Sequence, residues 1–549
     1  MEINLDPSYL FADRAPPEFH ATVEAHGLYN TQQFVLRLSP LIHRKLSELE
    51  PGISTNGIIG FDGAQAMSTF LHETMHWWQH IGSTYGFILS LNYPVQSHAT
   101  HLDLQSLLQQ DGFKKSIVKQ AEYLNIVGSP EPDKPAGIAN RIINNHFDML
   151  AFRAFTLGPD AAKQVVQEKL FEAVGHAFHM TYAHTVNQLG STVDPEFKKL
   201  PHPKEWQEGF RDLVARKVEG HFYGSSVELW PLGSHEIFEG QARFSQIQYL
   251  SHACGHRLSW DDYLSIGMLS GIYVRAFEEF LRLTESKWPD RVDDPIVGLF
   301  LLVCDLAINP GSGFPFHVSP NFETFVEDVN PGARFCMFSR IVVWKGLATK
   351  AAVRDFSKTE YEALSAELCQ TAKERTPLEI AKTFAKSFAP SGAWANLREE
   401  YESYSFGPAN YALRHLFAHF LAFQEDKAQR PEFFCWPGAW LAGERVTSDA
   451  QVLFDKHGAL FVDKEDHDGI FARTQRWRNE EAVQKTFETF YHNTVIYDLT
   501  NQWISKDGPF SYDLTWLQPD ASTEDMKDYL RKKFHMVFGV DTEAVELLS

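Results

Sequence analysis

Apolar residues recur at helical spacing over most of this chain and alternate at strand spacing over very little of it. The clearest period runs over 62–81. Met67, Phe70, Leu71, Met75, Trp77, Trp78 and Ile81 fall on one side of a helical wheel, and Gln65, Thr69, His72, Glu73, His76, Gln79 and His80 on the other. Asp62 followed by Gln65 reads as a capping box at its start, and Gly82 as its stop. Further long helices are predicted over 160–187, over 260–286 behind a Ser259 cap, and over 359–388. Strand signals are confined to the first sixty residues, at 22–25, 33–38 and 57–61, the last running directly into the helix.

These elements predict a mainly α fold with a small N-terminal β-sheet, an α+β class. Pro- and Gly-rich stretches at 309–320 and 330–334 read as surface loops, and 330–345 as the place for a boundary. The organisation expected is 1–100 for the sheet and the polar-faced helix, 101–340 for a helical body, and 341–549 for a C-terminal helical portion. No internal repeat or low-complexity tract is visible.

Composition narrows the partners. At 549 residues, 44% hydrophobic and 22% charged, the chain has enough apolar surface for about two to four packed units and should fold throughout. Its net charge of −21, without a basic run, argues against nucleic acid. No stretch approaches about 18 uninterrupted apolar residues, and the first residues do not resemble a signal peptide, so no membrane partner is expected. Five scattered cysteines without a CxxC pair are expected as free thiols in a reducing compartment, which points to the cytoplasm.

The candidate chemistry lies in His72-Glu73-Thr74-Met75-His76. Histidines four apart stack on a helix, so both rings can reach one zinc ion at about 2.0–2.1 Å. Glu73 then flanks the metal, placed as general base for the attacking water and general acid for the leaving amine. A chain with 24 histidines in this length shows such a pattern by chance about 0.05 to 0.1 times. The absence of Lys and Arg from the polar face strengthens the metal reading, because a buried face of this kind needs partners for its polar groups. The competing reading is a surface helix whose polar face meets water. His80 is not a ligand, since it lies about 12 Å from His72 along the axis. A third histidine ten residues after His72 is ruled out by Gly82.

The remaining ligand must come from elsewhere, and the best segment is Ser234-His235-Glu236-Ile237-Phe238-Glu239-Gly240-Gln241-Ala242-Arg243. With both motifs the chain resembles the gluzincins, thermolysin-like zinc metallopeptidases in which a glutamate on a later helix completes the metal site. Several of those families use Glu-x-x-Ala, which Glu239-Gly240-Gln241-Ala242 matches. The resemblance implies Zn2+ bound by His72, His76 and Glu239. It also implies a zincin-like catalytic core within an enlarged helical body, and a protein or peptide substrate lying along a sheet edge. Where those families often continue with Asp, this chain has Arg243, so Glu236, Gln79 or another carboxylate must hold the imidazole N–H. In the bland alternative Glu239 and Arg243 form a surface pair.

For the oxyanion donor His235, one turn before Glu239, is preferred over His221, Tyr223 and Arg243. The His252-Ala253-Cys254-Gly255-His256 spacing suits no metal and is read as structural. The expected activity is zinc-dependent hydrolysis of peptide bonds, restrained by a narrow cleft, a lid, or an activating or regulatory protein. A zinc-pinned scaffold without catalysis and a zinc hydrolase of a non-peptide amide are the alternatives.

Overall fold

In the computed structural model, which describes residues 27–49, 61–124, 130–518 and 522–548, the polar-faced period forms helix α1 (Phe61–Ile81). It begins at Phe61, so Asp62 sits inside its first turn and not ahead of it as a cap. The Gly82 N–H donates to the Trp78 carbonyl at 2.7 Å and closes the helix where predicted. Both faces of α1 are buried: Gln65, Thr69, His72, Glu73, Gln79 and His80 no less than Met67, Leu71, Met75, Trp77, Trp78 and Ile81. The surface-helix reading is thereby excluded. Trp78 packs against Phe423, Phe433, Phe434 and Phe454 and donates its indole N–H to the His457 carbonyl at 2.8 Å. A buried aromatic of this size is worth on the order of 3 kcal/mol, which fixes the rotation of α1 about its axis.

α1 is followed by α2 (Thr84–Asp111), α3 (Pro135–Leu157), α4 (Ser234–Ala253) and α5 (Ile272–Leu283). The three long helices expected downstream are each broken. The 160–187 pattern divides into Pro159–Val165 and Val174–Val193. The 260–286 pattern starts at the Ser259 cap as expected, but Trp260–Ser265 and α5 are separated by Gly267 and Gly271, both at positive φ. The 359–388 pattern divides into Lys358–Ala372 and Pro377–Phe388, where Thr376 caps a new helix with Pro377 in its first turn. Periodicity survives such breaks because the segments on either side present apolar faces to the same core.

Residues 330–334 are not a surface loop. Asn330 caps helix Pro331–Trp344, and 330–334 are buried. The 309–320 stretch is irregular, as expected, yet Asn309, Pro310 and Phe314 lie inside.

The sheet contains β1 (Gly27–Asn30), β2 (Val35–Leu38), β3 (Phe461–Lys464) and β4 (His467–Ala472), in the spatial order β1-β2-β3-β4. β2 runs antiparallel to β1 and parallel to β3. Half of the expected N-terminal sheet is therefore supplied by residues more than four hundred positions away. The 33–38 signal corresponds to β2, whereas 22–25 and 57–60 lie outside the described residues. The class is mainly α with a small sheet, 64% helix against 4% strand. A single cluster of buried apolar side chains runs from Tyr29 to Tyr497, and a second joins Leu104 to Phe538. Among the described residues no helix is long and apolar enough to cross a membrane, and all five cysteines are buried and unpaired.

Candidate metal centre

α4 begins tightly against the end of α3, where a Cβ at Gly233 would lie 2.3 Å from the Leu157 carbonyl oxygen. The Gly233 N–H donates to Glu236 Oε2 at 2.9 Å, which caps the helix and sets its register. One turn on, each residue of the Glu-x-x-Ala segment has a separate role. Gly240 faces α5, where an added Cβ would sit 3.1 Å from that of Ala276. Ala242 is fully buried, and Gln241 meets α1. Gln79 Nε2 donates to the Phe238 carbonyl at 2.9 Å and to Gln241 Oε1 at 3.0 Å, and Gln246 Nε2 donates to Ser68 Oγ at 3.1 Å, so α1 and α4 are clamped at two levels.

The clamp brings together the three residues singled out as ligands. His72 Nε2 and His76 Nε2 are 3.2 Å apart, and Glu239 Oε2 lies 3.4 Å from the first and 3.5 Å from the second. A tetrahedral ion with bonds of about 2.0–2.1 Å requires donors about 3.3–3.4 Å apart, so this triangle fits zinc. Among the described residues it is the one group of three side chains able to hold a metal, and it has no fourth member. Glu239 keeps 21% of its side-chain exposure, so the triangle is reachable from solvent. The surface pair with Arg243 does not form. Arg243 is buried, stacks its guanidinium 4.0 Å over the Tyr273 ring and donates to Gln246 Oε1 at 2.6 Å.

Of the outer partners considered, Gln79 is the one in place, its Oε1 2.9 Å from His76 Nδ1. Glu236 is spent on the Gly233 cap and stands 3.5 Å from Arg275. His72 Nδ1 is buried without a hydrogen-bond partner among the described residues.

Burial pushes the Glu73 carboxyl up to about 7, with His76 opposing and Glu239 reinforcing the shift. Burial lowers His72 to about 4. For His76 the lowering by burial is outweighed by the Glu239 and Glu73 carboxylates, which raise it to about 9. Glu239 is held well below the ordinary carboxylate range, the neighbouring histidines overcoming its burial. Without an ion His76 carries a proton against the anionic Glu239, and a divalent cation bound there would displace that proton. A carboxyl poised near 7 beside it suits proton transfer at neutral pH.

His72, Glu73, His76 and Glu239 all line one cavity of about 400 Å³. β1 forms part of its wall and approaches Glu73 so closely that a Cβ at Gly27 would fall 2.4 Å from Glu73 Cγ. The Tyr29 backbone N–H donates to the Glu73 carboxylate. His235 lines the cavity from an exposed position. His221 packs against Phe210 and Gly175, Tyr223 is exposed, and neither lines the cavity. His80 is stacked among Tyr29 and Phe238, away from the triangle. His252 and His256 meet edge to face and join no metal-competent group among the described residues.

Two lining residues had no sequence signal. Tyr273 on α5 places its ring 5.9 Å from that of His72, and Arg153 on α3 lines the same cavity. Comparison with family models, curated proteins and solved structures found no match, so the functional reading rests on the site's own geometry.

Proposed function

We propose that this chain is a zinc-dependent metallopeptidase of the zincin type, hydrolysing peptide bonds. The observation that carries the reading is the His72, His76 and Glu239 triangle with Glu73 buried beside it in one cavity. Three protein donors, with no fourth among the described residues, leave one tetrahedral position open, the arrangement of a catalytic rather than a structural site. Zinc held there supplies Lewis acidity and makes water nucleophilic at neutral pH.

The chain's own residues account for the rest. Glu73 accepts the proton of the attacking water and passes it to the leaving amine from its buried position beside His72 and His76. Tyr273, whose ring lies 5.9 Å from that of His72 with Arg243 stacked on it, would donate its hydroxyl to the developing oxyanion, and His235, lining the same cavity, is the second donor available. Among the described residues β1 is an edge strand, and its Gly27, Leu28 and Tyr29 line the cavity, so an extended substrate bound there would run beside the strand. A cavity of about 400 Å³ takes a short extended segment and not a folded domain, which is one form of the restraint such a peptidase needs. Buried, unpaired thiols suit a cytoplasmic location.

A scaffold pinned by zinc has no use for a buried carboxyl at Glu73, whose desolvation is unfavourable. The deciding experiment pairs metal analysis with a peptide-library digest. The purified chain should carry about one zinc, and Glu73→Gln should keep zinc and fold while slowing hydrolysis at least about 10²-fold. Equal rates for the two chains, or full zinc content after His72→Ala and His76→Ala together, overturn the proposal.

A further inference from the structure

The cavity continues past the candidate metal centre. Besides the metal triangle and Glu73 it is lined by Leu89, Tyr93, Leu157 and Phe238, with Ser90 and Tyr85 supplying hydroxyl groups. Arg153 joins them as the one Lys or Arg among the described lining residues. Its environment differs from that of the chain's other interior arginines. Arg334 donates to Glu374 and to the carbonyls of Leu306, Ala307 and Asp328, and Arg243 is held by Gln246 and Tyr273. Arg153 is half-buried, and among the described residues its guanidinium has neither a carboxylate within ion-pair distance nor a hydrogen-bond acceptor.

A guanidinium partly withdrawn from water without a counter-ion is poorly compensated, and it cannot relieve this by losing its proton. Burial does lower its pKa, and the group it feels most is the neutral Tyr85 hydroxyl, itself engaged with Ser234 Oγ at 3.1 Å. No described residue supplies that partner, which leaves the place to a group that the cavity binds. A planar fork of N–H donors matches a carboxylate in two parallel hydrogen bonds. The apolar side chains lining the cavity lower the local dielectric and so strengthen such a pair.

We infer that Arg153 is the specificity-determining residue of this cavity and binds a carboxylate of the substrate, from either a free peptide C-terminus or an Asp or Glu side chain. The inference rests on the peptidase reading for the word substrate, but the binding it predicts is separable from turnover.

The test uses the full chain carrying Glu73→Gln, so that binding is read without cleavage. Three pools of N-acetylated random pentapeptides serve as probes: free acids lacking Asp and Glu, C-terminal amides lacking Asp and Glu, and C-terminal amides with one Glu. Equilibrium dialysis with mass spectrometry should show one of the carboxylate pools retained at least about 10-fold better than the neutral amides. Which pool is retained identifies the source of the carboxylate. Adding Arg153→Met should abolish the preference and Arg153→Lys should keep part of it, with circular dichroism checking that both fold. Equal retention of all pools, no retention of any, or a preference that survives Arg153→Met overturns the inference. Cleavage of peptides by the chain with Glu73 intact and without acid preference sinks the Arg153 role and leaves the peptidase standing. Carboxylate retention in a chain that cleaves nothing does the reverse.

Discussion

Replacing Glu239, Gln79 and Glu236 by alanine, one at a time, tests the metal centre through the order of three effects. Glu239→Ala removes the corner of the triangle that lies 3.4 and 3.5 Å from the two imidazoles. Two remaining donors rarely hold zinc, so affinity should fall by more than about 10³-fold, roughly 4 kcal/mol at 1.4 kcal/mol per tenfold. Gln79→Ala keeps all three donors but takes the acceptor from His76 Nδ1 and the donor from Phe238 and Gln241. Loss of an outer partner weakens a metal about 10- to 100-fold, and the stranded buried carbonyl should cost a further 1–3 kcal/mol of stability, roughly. Glu236→Ala loses the helix cap at Gly233, about 1 kcal/mol of stability, together with the partly exposed contact to Arg275, and should leave zinc affinity within about threefold. Competition against a zinc-chelating dye gives the affinities, and urea unfolding of the metal-free chains gives the stabilities. If Glu236→Ala weakens zinc more than Glu239→Ala, or if all three affinities agree within threefold, the assignment of the third ligand fails.

Tyr273→Phe should lower kcat by about 10²- to 10³-fold with little change in KM, and a loss confined to KM would remove Tyr273 from oxyanion stabilisation. Gly27→Val places side-chain atoms where Glu73 lies, 2.4 Å from its Cγ, so hydrolysis should fall at least about tenfold while zinc content is unchanged; a fully active variant shows that β1 does not position Glu73. Acid stability follows from His415 and His419, buried beside Tyr404 and the charges of Arg473 and Arg478. Burial, the largest cause, lowers His415 to about 3 and His419 well below its ordinary value. Both pKa values are depressed on folding, so the unfolded chain binds more protons below about pH 6.5, and stability, complete above that pH, is lost as pH falls towards 3. Each should add up to about 1.4 kcal/mol per pH unit to the acid slope in urea unfolding, and a His415→Leu, His419→Leu double variant with an unchanged slope contradicts this.

What the sequence determined is local. The 61–81 helix, the stacking of His72 above His76, the place of Glu73 beside them and the Glu-x-x-Ala register of Glu239 were legible because each depends on spacing within one or two turns. The mainly helical class was legible for the same reason, since a 3.6-residue period needs no distant partner to show itself. Helix breaks at Gly267 and Gly271 and before Pro377 were read through, because apolar spacing on both sides serves one core.

The tertiary structure decided everything that joins residues far apart. It placed the polar face of α1 against α4 and chose Gln79 over Glu236 as the partner of His76. It also completed the sheet with β3 and β4 and brought Tyr273 and Arg153 into the cavity. Arg243 shows the limit most clearly. Its spacing from Glu239 reads as an exposed i,i+4 pair, but the close packing of α4 on α1 and α5 buries it and turns its charge onto Tyr273. Such pairings follow from how complementary surfaces pack at near-crystalline density, and that complementarity leaves no periodic trace in a single chain.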